Sequence, residues 1–160
     1  MTEIQYVKGD ATQPIGDGRK IIIHCCNDCV PGKWGKGFVM ALSRRWKKPE
    51  TEYRKWSRGH IPGLKFELGA VQFVKVEDDI VVGNMIGQKG IRGAAKVPPI
   101  RYAAIVSCLW KVQSAAEKNN ASIHCCRFGA GLAGGDWNII EGYLKDILCA
   151  KDISVTVYDL

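Results

Sequence analysis

Apolar positions along this chain fall into short alternating or continuous runs separated by stretches of helical period, and the alternation predicts its elements. "IQYVKGD" (residues 4–10) is a short first strand, and "RKIIIHCCN" (19–27) a second whose near-continuous apolar run suits burial on both faces. A loop, "DCVPGKWGKG", leads into the helical "FVMALSRRW"; Pro49 interrupts, and "ETEYRKWSRG" is a further short helix. "ELGAVQFVKVEDDIVVGNMIG" is a hairpin turning at "EDD". "QKGIRGAAKVPP", rich in Gly, Pro and Lys, is expected to be a loop near the site. A long helix follows in "IRYAAIVSCLWKVQSAAEKNN", with Ile105, Leu109, Val112 and Ala116 on one face. "ASIHCCRF" is a strand. "DWNIIEGYLKDIL" is a helix capped by Asp136, with Trp137, Ile140, Tyr143, Leu144, Ile147 and Leu148 on its apolar stripe, and "ISVTVYDL" is the last strand.

Strand–helix alternation broken by one hairpin predicts a mixed sheet between two helical layers, an α/β fold of three layers, α/β/α. No linker-like segment divides the 160 residues, so one domain spanning 1–160 is expected. The chain opens "MTEIQYVKGD", without a basic segment and apolar run, and no stretch reaches the ~18 apolar residues of a membrane span. A cytoplasmic monomer without membrane contact is the expectation. Seven cysteines, an odd number scattered through strands and helices, suit reduced thiols better than a disulfide framework.

The formal net charge of +7 admits a nucleic acid, an anionic small molecule or plain solubility. A helix after Gly37 places Arg44, Arg45, Lys47 and Lys48 near its C-terminal end, where cations complement the helix dipole and need no nucleic acid partner. "HCCNDC" offers Cys26-x-x-Cys29, half of a zinc spacing, but no second C-x-x-C or H-x₃-H completes it. No metal and no cofactor are expected.

Two glycine loops carry the chemistry. "GKWGKGF" follows the second strand and opens a helix; "GAGLAGGDW" follows the strand "ASIHCCRF" and does the same. The latter contains a literal G-x-G-x-x-G, yet a dinucleotide fingerprint begins a series of βα units, and here only one strand remains. Each loop by itself is either a tight βα turn or an anion cradle at a helix N-terminus. If their strands lie close together in the sheet, both loops emerge at its carboxyl edge and clamp a diphosphate. Lys33 and Lys36 add charge, although the G-x-x-x-x-G-K-[ST] spacing is absent.

With "YVKGDAT", "IIHCCND", "GKWGKGF", "NMIGQ", "GAGLAGGDW" and "VTVYDL" in this order, the chain resembles the macrodomains. Within them it resembles the branch containing the terminal ADP-ribose protein glycohydrolase and the yeast-type ADP-ribose 1″-phosphate phosphatase. The resemblance implies a three-layer macrodomain fold and ADP-ribose or ADP-ribose 1″-phosphate as ligand. By the same resemblance Asp10 accepts the adenine amino hydrogens beside the Ala11 backbone, and Asn27 binds the distal ribose and takes part in catalysis. Lys33, Trp34, Gly35, Lys36, Gly37 and Phe38 line the diphosphate and ribose. Gly129, Ala130, Gly131, Leu132, Ala133 and Gly134 supply amides from the opposite side, and Leu160 borders the adenine. Plainer roles stand beside these: a turn at Asp10, an Asx turn at Asn27, core anchors at Trp34 and Phe38.

The glycohydrolase's lysine position falls on Gln88, with Lys89 next to it, and its loop aspartate position on Ala133. Glutamine cannot form a Schiff base. Lys89 serves only if the register slips by one. His24 matches a histidine of the phosphatase motif; it is either an acid–base group or a buried strand residue bonded to its surroundings. Asp28 and Asp136 are nearby carboxylates or caps. The resemblance thus implies ADP-ribose binding with hydrolysis of an ADP-ribose derivative, the 1″-phosphate first, or removal of ADP-ribose from a modified protein or nucleic acid. A non-enzymatic reader of ADP-ribose is the alternative, and a basic nucleic-acid-binding domain a remote one.

Overall fold

In a computed structural model that describes residues 1–91, 97–131 and 133–160, the strands are β1 (Gln5–Lys8), β2 (Lys20–Asn27), β3 (Val71–Glu77), β4 (Ile80–Gln88), β5 (Ser122–Cys125) and β6 (Val155–Asp159). The helices are α1 (Phe38–Arg45), α2 (Lys48–Ser57), α3 (Tyr102–Asn119) and α4 (Trp137–Ile147). A 3₁₀ turn, Cys149–Lys151, separates α4 from β6 and was not expected from the pattern. The strands form one sheet in the order β1-β6-β5-β2-β4-β3. All neighbours are parallel except β3 and β4, which form the expected hairpin with its turn at Asp78 and Asp79.

Alternation along β2 divides the core between the two faces. Ile21, Ile23 and Cys25 face α3 and α4, meeting Ile105, Leu109, Val112, Ile140 and Leu144. Ile22 and Cys26 face α1 and α2, packing with Leu42, Tyr53, Trp56, Val82 and Ile86. The continuous apolar run of β2 therefore reflects burial on both sides, in the three-layer α/β/α arrangement.

The break between the first two helices differs from the sequence reading. Pro49 does not merely interrupt: it sits at the start of α2, where its fixed φ favours the helix and its missing N–H costs nothing. Lys47 and Lys48 consequently open α2 instead of closing α1; only Arg44 and Arg45 occupy the last turn of α1. The expected loop "QKGIRGAAKVPP" includes residues 92–96, which lie outside those described. Among the described residues no helix is long and apolar enough to cross a membrane.

Candidate functional site

β2 and β5 are adjacent and parallel, with Lys20 opposite Ser122, Ile21 opposite Ile123 and Ile22 opposite His124. The two glycine loops therefore leave the sheet from neighbouring strands at the same carboxyl edge. The same edge carries Asp10 after β1, Leu160 after β6 and the end of β4 at Gln88. From β1 to β4 it crosses four strand spacings, or about 19 Å. A cavity of about 570 Å³ opens here, lined by Asn27, Gly32, Lys33, Trp34, Lys36 and Gln88 among others.

The first loop is built around Asn27. A bulge between Cys26 and Asn27 shifts the register so that Asn27 pairs with Gln88, re-aiming its side chain at the strand end. Its Oδ1 accepts from the Cys29 and Lys33 amides at 3.2 and 3.3 Å, while Nδ2 donates to the Lys33 carbonyl at 2.8 Å. The Tyr53 hydroxyl lies within donating distance of both Asn27 oxygens, at 2.8 and 2.9 Å. Asn27 is 7% exposed and forms the Asx turn weighed above. Its amide retains one donor hydrogen among the described residues.

Beyond Lys33 the chain opens toward solvent: Gly35, Lys36 and Gly37 are exposed. Gly37 caps α1 at φ +82°, with no side-chain cap and no acid in the first turn. An α-helix start leaves N–H groups without intrahelical acceptors, and here Lys33 and Lys36 add charge nearby instead of a capping carboxylate. Such an end favours an anion. Trp34 is 6% exposed, a core anchor: its ring lies 5.3 Å from Tyr53, and its indole N–H donates to the Ser43 hydroxyl at 2.8 Å. It still lines the cavity wall, while Phe38 is half-buried against the same core.

The second loop closes on itself. Gly129, at φ +75°, gives its carbonyl to the Gly135 amide at 2.8 Å, and Gly131 gives its own to Gly134 at 3.0 Å. Ala133 is buried and its carbonyl accepts from Ile100 at 3.1 Å. Gly131 is exposed and Ala130 half-exposed. Among the described residues the Ala130, Gly131 and Ala133 amides have no acceptor. Leu132 lies outside the described residues.

At the β1 end, Asp10 Oδ1 accepts from both the amide and hydroxyl of Thr12 at 2.8 Å, so the residue does make the turn. Its second carboxylate oxygen has no donor among the described residues. Ala11 is buried, and Leu160 is fully exposed at the end of β6, touching no wall.

His24 is enclosed and does not line the cavity. It is 1% exposed on the α1/α2 face, its Nε2 bonded to Asn84 Oδ1 at 2.5 Å, its ring against Trp34 at 5.4 Å and Phe38 at 5.9 Å. Burial lowers its pKa to about 4, overriding the opposing Asn84 bond. The ring bridges β2 to Asn84 of β4 and packs against Trp34 of the first loop. Lys89 is exposed, its amide donating to Pro99. Asp28 accepts from the Gly90 amide at 2.8 Å, and Asp136 caps α4 through Asn138. All seven cysteines are free thiols; burial pushes the Cys25 and Cys26 thiols well up, which disfavours their thiolate forms. Among the described residues no group of three or more His, Cys, Asp or Glu is arranged for a metal.

Arg54 of α2, not singled out in the sequence, also lines the cavity. Its signal was present: Glu50 and Arg54 stand at i, i+4, the spacing of a helical ion pair, and they bond at 3.0 Å.

No family model matches the chain. A solved macrodomain protein from Streptomyces coelicolor superposes with a TM-score of 0.86 at 49% identity, covering 99% of each chain. The ADP-ribose 1″-phosphate phosphatase of Candida albicans is 24% identical over 151 residues, 89% of this chain and 92% of that one. The chromodomain-helicase-DNA-binding protein 1-like of Danio rerio is 31% identical over 166 residues, 98% of this chain but only 16% of that protein's length. Full-length similarity to a solved macrodomain, with a sheet whose adjacent parallel strands β2 and β5 send two glycine loops to one edge, shows that the chain belongs to the macrodomain family.

Proposed function

We propose that this macrodomain binds ADP-ribose across the carboxyl edge of its sheet and hydrolyses an ADP-ribose derivative, ADP-ribose 1″-phosphate first. The adjacency of β2 and β5 carries the reading, because both glycine loops leave the sheet from neighbouring parallel strands at its carboxyl edge. The order along the edge supports it: Asp10 at the β1 end for adenine, the glycine loops at β5/β2 for the diphosphate, Asn27 and Gln88 at β2/β4 for the distal ribose. The similarity to the Candida albicans phosphatase favours the 1″-phosphate. Hydrolysis there splits the phosphate ester with water, releasing inorganic phosphate and ADP-ribose. Amides and lysines suit such a step, which depends on positioning and charge stabilisation. ADP-ribosylated protein or nucleic acid is the further substrate class to assay.

The burial of His24 and the absence of an acid at Ala133 favour a second reading, a module that binds ADP-ribose without turnover. Calorimetry with ADP-ribose at two salt concentrations, followed by turnover assays, separates these. Binding with a shallow salt dependence and release of phosphate from ADP-ribose 1″-phosphate is expected. Binding without turnover of any ADP-ribose derivative leaves the reader; a steep salt dependence without ADP-ribose affinity points to a nucleic-acid backbone.

A further inference from the structure

The first loop is held by a closed ring of polar contacts to α1 and α2, one member of which, Arg54, also lines the cavity. The Trp34 indole N–H donates to the Ser43 hydroxyl at 2.8 Å, which donates to Glu50 Oε1 at 2.8 Å. Glu50 Oε2 accepts from Arg54 Nε at 3.0 Å. Arg54 then reaches back: Nη1 donates to the Gly32 carbonyl at 3.3 Å and Nη2 to the Trp34 carbonyl at 3.5 Å. Trp34 is thus gripped twice, by its ring and by its own backbone.

Peptide geometry turns that grip into an orientation. In a trans peptide unit the C=O of one residue and the N–H of the next point in opposite directions. Tying the Trp34 carbonyl to α2 therefore aims the Gly35 N–H away from α2, and Gly35 lines the cavity. The guanidinium bonds Glu50 and the two carbonyls through three separate nitrogens in one plane; a lysine ammonium carries its donors on a single atom and supplies the charge without that spread. The Glu50 carboxyl is raised by partial burial but held below its ordinary range by the Ser43 hydroxyl and the Arg54 guanidinium, so it is ionised to anchor the fork.

We infer that Arg54, anchored by Glu50, is a positioning residue that presets the first glycine loop so that its amides face the diphosphate. This rests on the ADP-ribose reading for its ligand, but the pinning itself can be measured without ligand. Three forms should be compared: wild type, Arg54→Lys and Arg54→Gln, with Glu50→Gln as the test of the anchor. In ligand-free protein, trypsin cleavage after Lys33 and Lys36 is expected to quicken about tenfold in all three variants, the loop having lost charge-assisted hydrogen bonds. ADP-ribose affinity is expected to fall about tenfold, equally for Lys and Gln at position 54, while AMP affinity stays unchanged. Unchanged cleavage in Arg54→Lys and Glu50→Gln would overturn the pinning. Wild-type affinity in Arg54→Lys with loss in Arg54→Gln would overturn the positioning role in favour of simple charge. Failure of the wild type to bind ADP-ribose sinks the nucleotide reading, and the cleavage rates still decide the pinning.

Discussion

Gly135 has no room for a methyl group. A Cβ there would stand 2.5 Å from the Gly129 carbonyl oxygen, the atom that accepts the Gly135 amide. Because the obstacle is backbone, Gly135→Ala must spread the second loop, and a loss of about 1–3 kcal/mol in urea denaturation is expected together with weakened ADP-ribose binding. Stability and binding unchanged from wild type would show that the loop tolerates opening. Asn27 gives the complementary case in the first loop. Asn27→Ala removes the acceptor of two amides and the donor to Lys33, so a destabilisation of about 1–3 kcal/mol is expected by the same measurement. The family resemblance implied a ribose ligand at Asn27 and its place before the loop an Asx turn, and only the tertiary placement of the Lys33 backbone and Tyr53 shows how many of its bonds are already used.

At the scale of elements, two strands carry enclosed histidines. His24 on β2 bonds Asn84; His124 on β5 lies between the Ser122 hydroxyl and the Tyr158 hydroxyl, both at 2.7 Å. Burial lowers both pKa values to about 4, with the Lys20 charge adding to the effect on His124. The unfolded chain has both near 6.5, so between about pH 4 and 6.5 it binds more protons than the native state, and stability falls as pH falls through that window. Urea denaturation at pH 7 and pH 5 is expected to differ by on the order of 2 kcal/mol per histidine; equal stabilities would place these rings in contact with water. The sequence reading left His24 open between catalysis and burial. Strand parity puts it on the Ile22 and Cys26 side, but only the packing of α1 and α2 shows that this side is closed at position 24. The apolar stripes of α3 and α4 were legible because periodicity alone determines them: Ile105, Leu109, Val112, Ile140 and Leu144 are all fully buried. The break between α1 and α2 was misplaced because a proline that ends one helix also begins the next.

At the scale of the whole molecule, function depends on strand order, and no local pattern states that order. Two strands with a glycine loop after each were visible in the sequence; that β5 lies directly beside β2, although the β3–β4 hairpin and α3 intervene in the chain, comes from long-range pairing. The role of Arg54 is hidden in the same way: its i, i+4 partner Glu50 is readable in the sequence, but the loop it grips is not. Whether these two loops hold one diphosphate is decided by a crystal structure with ADP-ribose. The diphosphate is expected between residues 35–37 and 129–134, within hydrogen-bond distance of backbone amides from both loops. A diphosphate contacting only one loop, or bound away from the carboxyl ends of β2 and β5, would contradict it.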